Sequence, residues 1–268
     1  MSAVGLSDAE FVKIRSFIYT KAGISMSESK KSLVVGRLAK RLRAHNLSSY
    51  SDYLCLLDSG KDPEEMQLAV DLLTTNETYF FREPKHFNFL QEKILPQHAA
   101  GRAFRVWSAA SSSGQEPYSI AMLLAQHLGQ QTWDILASDI SQRILEKARA
   151  GHYPMEQAQK IPPNYLSSYC LKGIGSQQGS FLIKQQLRDR IRFQQINLNT
   201  SLPQVGEFDL VFLRNVMIYF DIETKRQVVQ RITNQIKPGG YLFVGHSESL
   251  NGVVDTLKPV MPSVYRKP

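Results

Sequence analysis

The sequence predicts an α/β protein in which a small all-helical N-terminal domain precedes a domain built on a parallel sheet. Two patterns carry this prediction. Apolar residues recur at helical spacing over residues 1 to about 75, and from about residue 104 apolar strand-like runs alternate with helical segments. Strands that alternate with helices form crossover units, so the sheet should be parallel and covered on both faces.

The first 75 residues carry both apolar helix faces and a helix start signal. In "KDPEEMQLAVDLL", Asp62 should be the N-cap, Pro63 the first helical residue and Glu65 its partner three residues after the cap. Helical spacing is clearest at Phe11, Ile14, Phe17 and Ile18, and at Leu38 and Leu42.

Basic residues at helical spacing form one predicted face of the second helix. Arg37, Lys40 and Arg41 stand at i, i+3 and i+4, and the chain has a net charge of +8. This face is either simply solvated or docks on an acidic partner. No aromatic residues are interleaved with it, so a nucleic-acid surface is not predicted.

Four strand-like runs define the second domain. They are "FRVWSAA", "WDILASDI", "EFDLVFLRNVMIYF" and "KPGGYLFVGHSESL", the last entered through a turn at Pro238-Gly239-Gly240. Helices are expected over 117–128 and 223–236, and another capped by Ser141.

Residues 151 to about 193 break the alternation. The loop "GIGSQQG" stands between the β-capable runs "YLSSYCL" and "SFLIKQQL". A glycine-bearing loop between two such runs predicts an inserted antiparallel β-subdomain with a hairpin.

Composition favours a reduced, cytoplasmic protein. The start of the chain lacks the basic and apolar regions of a signal peptide, and the longest apolar run, 120–125, is too short to span a bilayer. Cys55 and Cys170 show no Cys or His spacing typical of a metal site, so no metal is expected.

The turn "SAASSSGQEP" after the first strand is typical of a nucleotide site but lacks both a three-glycine fingerprint and a phosphate loop. Asp139 ends the second strand, where a carboxylate can bind both ribose hydroxyls. A ligand with a ribose but no phosphate fits, and S-adenosylmethionine is one. Glu116 would then face its ammonium group. Two plainer alternatives stay open: Asp139 caps the next helix, and Glu116 complements a helix dipole.

Six motifs in order resemble the bacterial chemotaxis receptor glutamate O-methyltransferases. They are "LLTTNETYFFRE", "VWSAASSSGQEPYSIAMLL", "ASDIS", "RFQQINLN", "FDLVFLRNVMIYFD" and "GGYLFVGHSESL". The resemblance implies a helical, receptor-facing domain over 1–75, an active-site linker over 76–90, and a Rossmann-like S-adenosylmethionine-dependent methyltransferase domain over 91–268. It also implies the methylation of chemoreceptor glutamates to methyl esters for chemotactic adaptation, with S-adenosylhomocysteine as the product.

The resemblance also implies roles for single residues. Arg82 and Tyr219 would be catalytic. The residues implied to bind the cofactor are Asn76, Thr78, Arg82, Glu116, Asp139, Asn197, Leu198, Leu213, Arg214 and Asn215. Taken without the resemblance, Asn76 and Thr78 could cap a helix, and Phe80 and Phe81 are expected to pack.

The implied partners are the cytoplasmic domains of chemoreceptors, with no nucleic acid and no insertion into the membrane. In some relatives the β-subdomain grips a tether at the receptor's C-terminus, and "GIGSQQG" is similar to that form. Two rival functions stay open: a methyltransferase for RNA or a small molecule, and a non-catalytic module that binds S-adenosylmethionine.

Overall fold

The computed structural model describes residues 4–99 and 101–268. Four helices form the N-terminal region, and their apolar faces share one core that includes Phe11, Ile14, Leu38 and Leu42. The helices are α1 (Asp8–Ala22), α2 (Lys31–Ala44), α3 (Tyr50–Asp58) and α4 (Pro63–Leu73).

The predicted start of α4 is confirmed. Pro63 is its first residue, and the Asp62 side chain accepts a hydrogen bond from the Glu65 backbone N–H at 2.9 Å. At the end of α1, Gly23 adopts a φ of +72°. A Cβ there would lie 2.8 Å from Thr224 Cγ2, so this helix end fits closely against the second region.

A continuous helical segment leads into the sheet. It runs as α5 (Pro84–Phe89), then as a π-helical turn over Leu90–Ile94, then as a 3₁₀ turn over Leu95–Gln97. The linker boundary expected at residue 90 therefore falls inside regular structure.

The second region is a Rossmann-like α/β unit, as predicted. Its seven strands lie in the order β6-β2-β1-β7-β8-β10-β9, and the first five of these are parallel. The strands are β1 (Phe104–Ser108), β2 (Trp133–Asp139), β6 (Ile191–Gln195), β7 (Phe208–Leu213), β8 (Ile236–Val244), β9 (Lys258–Met261) and β10 (Val264–Arg266). The flanking helices are α6 (Gln115–Leu128), α7 (Gln142–Ala150) and α10 (Ile222–Asn234).

The order of the strands in the large sheet indicates where a ligand would bind. The chain runs outward from β1 through β2 to β6 on one side, then returns to build β7 and β8 on the other side. The crevice at the carboxyl end of β1 is therefore the switch point, where open α/β sheets bind ligands.

The inserted subdomain is present, with differences in detail. Its three antiparallel strands lie in the order β3-β5-β4, from β3 (His152–Pro154), β4 (Cys170–Lys172) and β5 (Ser180–Ile183). The flanking runs expected to be strands are partly helical, as α8 (Pro163–Tyr169) and α9 (Gln185–Arg188). Because β6 belongs to the large sheet, the insertion ends before residue 191, earlier than expected.

Strand β8 begins earlier, and the helix before it ends earlier, than the sequence predicted. Helix α10 ends at Asn234, and Ile236 already pairs with Phe208 in the sheet. The turn at Pro238-Gly239-Gly240 is an irregularity inside β8, where the register with β7 shifts and Gly239 takes a φ of +78°.

The basic face predicted on α2 is largely used inside the protein. Arg37 donates to the carbonyl oxygens of Leu73 and Thr74 at 3.1 and 2.8 Å, which satisfies the C-terminal end of α4. Arg41 Nε donates to Glu65 at 2.9 Å, whereas Lys40 is exposed. Two of the three basic side chains of this face therefore have partners within the protein, which the sequence does not reveal because it does not show which carbonyls and carboxylates α4 presents.

Within 4–99 and 101–268, none of the helices has both the length and the apolar character needed to cross a bilayer.

We expect Arg41→Ala to lower the free energy of unfolding by about 2 kcal/mol, since it removes a charged hydrogen-bond donor from a buried carboxylate. Lys40→Ala, one residue away and exposed, is the matched control and should change stability by less than about 0.5 kcal/mol. Urea denaturation of both variants measures this difference, and equal stabilities would contradict the internal role of Arg41.

Candidate active site

A cleft that is partly open to solvent lies at the switch point between the helical region and the carboxyl ends of the strands. It gathers residues from the linker, from three strand ends and from the loop before α10. The predicted site residues among its lining are Asn76, Thr78, Arg82, Glu116, Asp139, Asn197, Leu198, Arg214, Asn215 and Tyr219.

Leu213 is the exception among the predicted residues. It is the last residue of β7, it is fully buried, and it pairs in register with Val244 of β8. Its side chain packs in the core. Of the two contacts that the sequence allows at Leu213, an apolar one or one through the backbone, only the backbone is available at the cleft, because a strand directs successive side chains to opposite faces.

Asp139 is buried at the end of β2 and tied to two loops. Its Oδ2 accepts from the Ser112 N–H at 2.9 Å, and its Oδ1 accepts from the Ser141 N–H at 3.0 Å. Burial raises the pKa of Asp139 to about 6, although these two hydrogen bonds act in the opposite direction. The N-cap of α7 is Ser141, whose hydroxyl accepts from Ile144 N–H. Asp139 is therefore not the helix cap, and its carboxylate lines the cleft.

The small residues of the first turn allow close packing. Gly114 has a φ of +95°, and a Cβ there would lie 2.9 Å from both Ala148 Cβ and Tyr153 Oη. Ser112, with a φ of +49°, donates its hydroxyl to the Asn76 carbonyl oxygen at 3.0 Å. The turn is thus closely packed and joined to the linker beside the cleft.

A buried ion-pair network forms the other wall. Arg214, with a side chain only 1% exposed, places Nη1 2.9 Å from Glu116 Oε2 and Nη2 2.9 Å from Glu83 Oε2. Ser108 donates to Glu116 at 2.7 Å. Burial raises the pKa of Glu116, against the opposing effect of Arg214. Glu116 is also the second residue of α6, so a role at the helix dipole coexists with its place in the cleft.

The linker has strained backbone that its neighbours hold in place. Phe81 and Glu83 have φ values of +52° and +58°. The Phe81 ring stacks on Tyr165 with centroids 5.3 Å apart, and Phe80 is buried against Tyr153. Both phenylalanines therefore pack, as expected. Asn76 and Thr78 lie in a non-helical segment before α5, so neither caps a helix.

The two residues expected to be catalytic line the open part of the cleft. Arg82 donates to the Glu77 carbonyl oxygen at 3.0 Å, and its guanidinium lies 5.5 Å from the Tyr79 ring centroid. The Tyr219 carbonyl oxygen accepts from Ser25 N–H at 2.8 Å, so the loop that carries Tyr219 is joined to the helical region.

Glu248 is a supporting residue that the sequence did not reveal. Its carboxylate accepts from the N–H groups of Gly245, Asn215 and Ile218 at 2.6, 2.8 and 3.1 Å. Burial raises its pKa, whereas these donors oppose that effect. The only signal was an acidic residue after an apolar strand, in "GHSESL". The sequence also did not reveal the role of Glu83, because its partner Arg214 is far away along the chain.

Comparison with known proteins identifies related chains. One family model, described as the CheR methyltransferase all-alpha domain, matches residues 9–74. A second, the CheR methyltransferase SAM binding domain, matches residues 76–265.

Three relatives carry the description of chemotaxis protein methyltransferase. The Salmonella typhimurium protein is 41% identical over 94% of this chain and 87% of its own length. The Escherichia coli protein is 43% identical, with 92% of this chain and 87% of the relative covered. Chemotaxis protein methyltransferase 2 of Pseudomonas aeruginosa is 40% identical, with coverages of 96% and 92%.

S-adenosyl-L-methionine is accordingly the cofactor, and the cleft fits it. This cofactor carries a ribose but no phosphate, and the first turn has no phosphate loop. The buried Asp139 carboxylate offers acceptor oxygens at the strand end where a ribose is expected. Glu116 adds an acidic group suited to a ligand with cationic groups.

We expect Glu248→Gln to loosen the loop that carries Asn215 and Ile218, since an amide provides one acceptor oxygen where the carboxylate provides two. Hydrogen exchange at the Asn215 and Ile218 amides should accelerate, and thermal stability should fall. Glu146→Gln, on the exposed side of α7, is the matched control. Unchanged exchange at both amides would show that the carboxylate does not hold this loop.

Proposed function

Because the chain belongs to the CheR methyltransferase family, we propose that it transfers the methyl group of S-adenosyl-L-methionine to glutamate side chains on the cytoplasmic domains of chemoreceptors. The products are glutamate methyl esters and S-adenosyl-L-homocysteine, and the reaction takes place in the cytoplasm. The observation that carries this proposal is the match of both family models, in order, along nearly the whole chain. We also propose the division into a receptor-facing domain (1–75), a linker (76–90) and a methyltransferase domain (91–268).

The cleft supports roles for its lining residues. We assign Asp139 to the ribose hydroxyls and Glu116 to the ammonium of the methionine end. Asn197 and Leu198 border the adenine. The remaining contacts come from the linker and the β7 end, and for Leu213 only its backbone is available. The residues assigned to these remaining cofactor contacts are Asn76, Thr78, Arg82, Leu213, Arg214 and Asn215.

A carboxylate nucleophile suits this lining. A glutamate side chain has a pKa of about 4.3, so it is already ionised near neutral pH and needs no general base. Histidine, the commonest general base, is not among the described residues that line the cleft. An amine or hydroxyl substrate would have to use one of the acidic side chains of the lining as its base, whereas a carboxylate needs none, which favours the carboxylate over the RNA and small-molecule alternatives.

The bound cofactor supplies an electrophilic methyl group on a sulfonium. Transfer of this methyl group to a glutamate oxygen would form a C–O bond, break the C–S bond and leave its electron pair on sulfur in the thioether product. Arg82 and Tyr219 orient the carboxylate from the open side of the cleft. Positioning of this kind contributes about 7–11 kcal/mol to lowering a barrier.

Base lability of the product tests the reaction. The protein is incubated with methyl-labelled cofactor and receptor-containing membranes, and the labelled receptor is then treated with alkali. Release of the label as methanol is expected for a methyl ester. Alkali-stable label would indicate another methyltransferase, and absence of label on any receptor would indicate a binding module. Arg82→Ala should lower the labelling rate at saturating cofactor.

We expect Asp139→Ala to weaken cofactor affinity by one to two decades, since it removes charged hydrogen bonds of about 1.5–3 kcal/mol. Because the Asp139 pKa is about 6, affinity should also fall as pH decreases from 7.5 to 5, when the carboxylate takes up a proton. Calorimetry measures both effects. Asp139→Asn should bind weakly with a flatter pH profile, and wild-type affinity in either variant would remove Asp139 from the site.

We also propose that the β-subdomain docks a C-terminal receptor tether. Strand β4 lies at the edge of the small sheet, and Leu171 within it and Ile174 shortly after it are 50% and 81% exposed. An edge strand can accept an extended peptide through main-chain hydrogen bonds. A tether of this kind raises the local enzyme concentration without new catalytic contacts.

We expect receptor C-terminal peptides to bind wild-type protein and to bind Gly173→Ala at least about tenfold more weakly. A Cβ at Gly173 would lie 2.0 Å from the Gln177 carbonyl oxygen, so the loop after β4 must rearrange. Gly36→Ala, in open space on α2, is the control. Calorimetry measures the peptide affinities of both variants, and equal affinities would exclude this loop from docking.

A further inference from the structure

We propose that Glu83, His86 and His246 bind a divalent first-row transition metal ion of the zinc class, beside the cofactor cleft. His86 Nδ1 lies 3.4 Å from Glu83 Oε2, and His246 Nε2 lies 3.9 Å from the same oxygen. All three atoms lie within 4.8 Å of one another. Tetrahedral zinc with ligands at about 2.0–2.1 Å separates its ligand atoms by about 3.3 Å, so small side-chain movements complete the site.

Two of the three candidate ligand atoms are buried without a hydrogen-bond partner. These atoms are Glu83 Oε2 and His86 Nδ1. Glu83 Oε2 still has the Arg214 guanidinium as an ion-pair partner at 2.9 Å, so His86 Nδ1 is the atom with neither a hydrogen bond nor an opposite charge of its own. Buried polar atoms of this kind are rare in proteins and point to an unaccounted partner. A metal ion would give Nδ1 a partner and would take Glu83 Oε2 as a second ligand beside its ion pair with Arg214.

The second ring nitrogen of His86, Nε2, already has a hydrogen-bond partner. His86 is fully buried, and its Nε2 lies 3.0 Å from Ser263 Oγ. Metal-binding histidines usually use their second nitrogen in this way, which fixes the ring and directs the first nitrogen at the metal. The ring of His86 is therefore oriented for binding before any ion arrives.

The third ligand, His246, is exposed and would let an ion reach the site from solvent. The His246 side chain is 47% exposed, and its ring centroid lies 5.2 Å from that of His86. Two imidazoles and one carboxylate, with solvent on one side, are a ligand set that suits zinc and its first-row neighbours. Sequence spacing did not predict this site, because His246 follows β8 whereas the other two ligands begin α5.

Metal binding should also affect methyl transfer in the active site, and this consequence rests on the proposed function. Glu83 and Glu116 share Arg214. An ion on Glu83 competes with Arg214 for the same carboxylate and brings a second positive charge next to the guanidinium. We therefore expect the metal to inhibit methyl transfer.

Direct binding tests the site independently of catalysis. Tag-free protein, treated with chelator and dialysed, is titrated with Zn²⁺ by calorimetry and with Co²⁺ by visible absorption. Wild type should bind one ion, with the d–d bands of low-coordinate cobalt. His246→Ala should bind at least about tenfold more weakly. His127→Ala, an exposed histidine on α6, should bind as wild type does.

The outcomes separate the two parts of the proposal. Lack of saturable binding to wild type, or equal affinity in His246→Ala, would overturn the metal site. If the ion binds, Zn²⁺ should inhibit receptor methylation by wild type and by His127→Ala more strongly than methylation by His246→Ala. Equal inhibition of all three would overturn the coupling through Glu83. Failure of receptor methylation without any metal would count against the proposed function alone and leave the binding result intact.

Discussion

The buried guanidinium of Arg214 joins three separate parts of the chain around the cleft. Its partners are Glu83 from the linker and Glu116 from the start of α6, while Arg214 itself follows β7. Removing one partner from such a network leaves an unpaired buried charge, which typically costs several kcal/mol. The linker and the sheet edge are therefore held as one unit, and residues far apart in sequence meet at fixed positions in the cleft.

The helical region is a structural part of the same cleft. Asn197 donates to the Lys21 carbonyl oxygen at 2.7 Å, and the Tyr19 hydroxyl donates to Asp221 at 2.7 Å. Ile24 forms an isolated bridge with Phe220, next to Tyr219. Because these contacts border the cleft, any change in how α1 packs would alter the position of the loop that carries Tyr219.

Local signals in the sequence predicted more of the fold than of the site. The Asp62 cap and the strand-to-helix turn before α6 depend on neighbours along the chain, and both could be identified from spacing. The roles of Arg37 and Glu248 could not, since their partners are backbone groups that only the tertiary fold brings near. For residues that spacing alone left ambiguous, such as Asn76, the resemblance implied a place in the site, and Asn76 does line the cleft.

Backbone strain is concentrated around the cleft. Phe81, Glu83, Ser112 and Asn215 all have φ values between +49° and +58°, and none is a glycine. Each such residue costs about 1–3 kcal/mol and persists only where its surroundings hold it in place. Here the surroundings do so: the Asp139 carboxylate holds the Ser112 N–H, and the Glu248 carboxylate holds the Asn215 N–H. These two buried carboxylates thus anchor strained backbone, and Asp139 also lines the cleft, which links the stability of the site to its shape before any ligand binds.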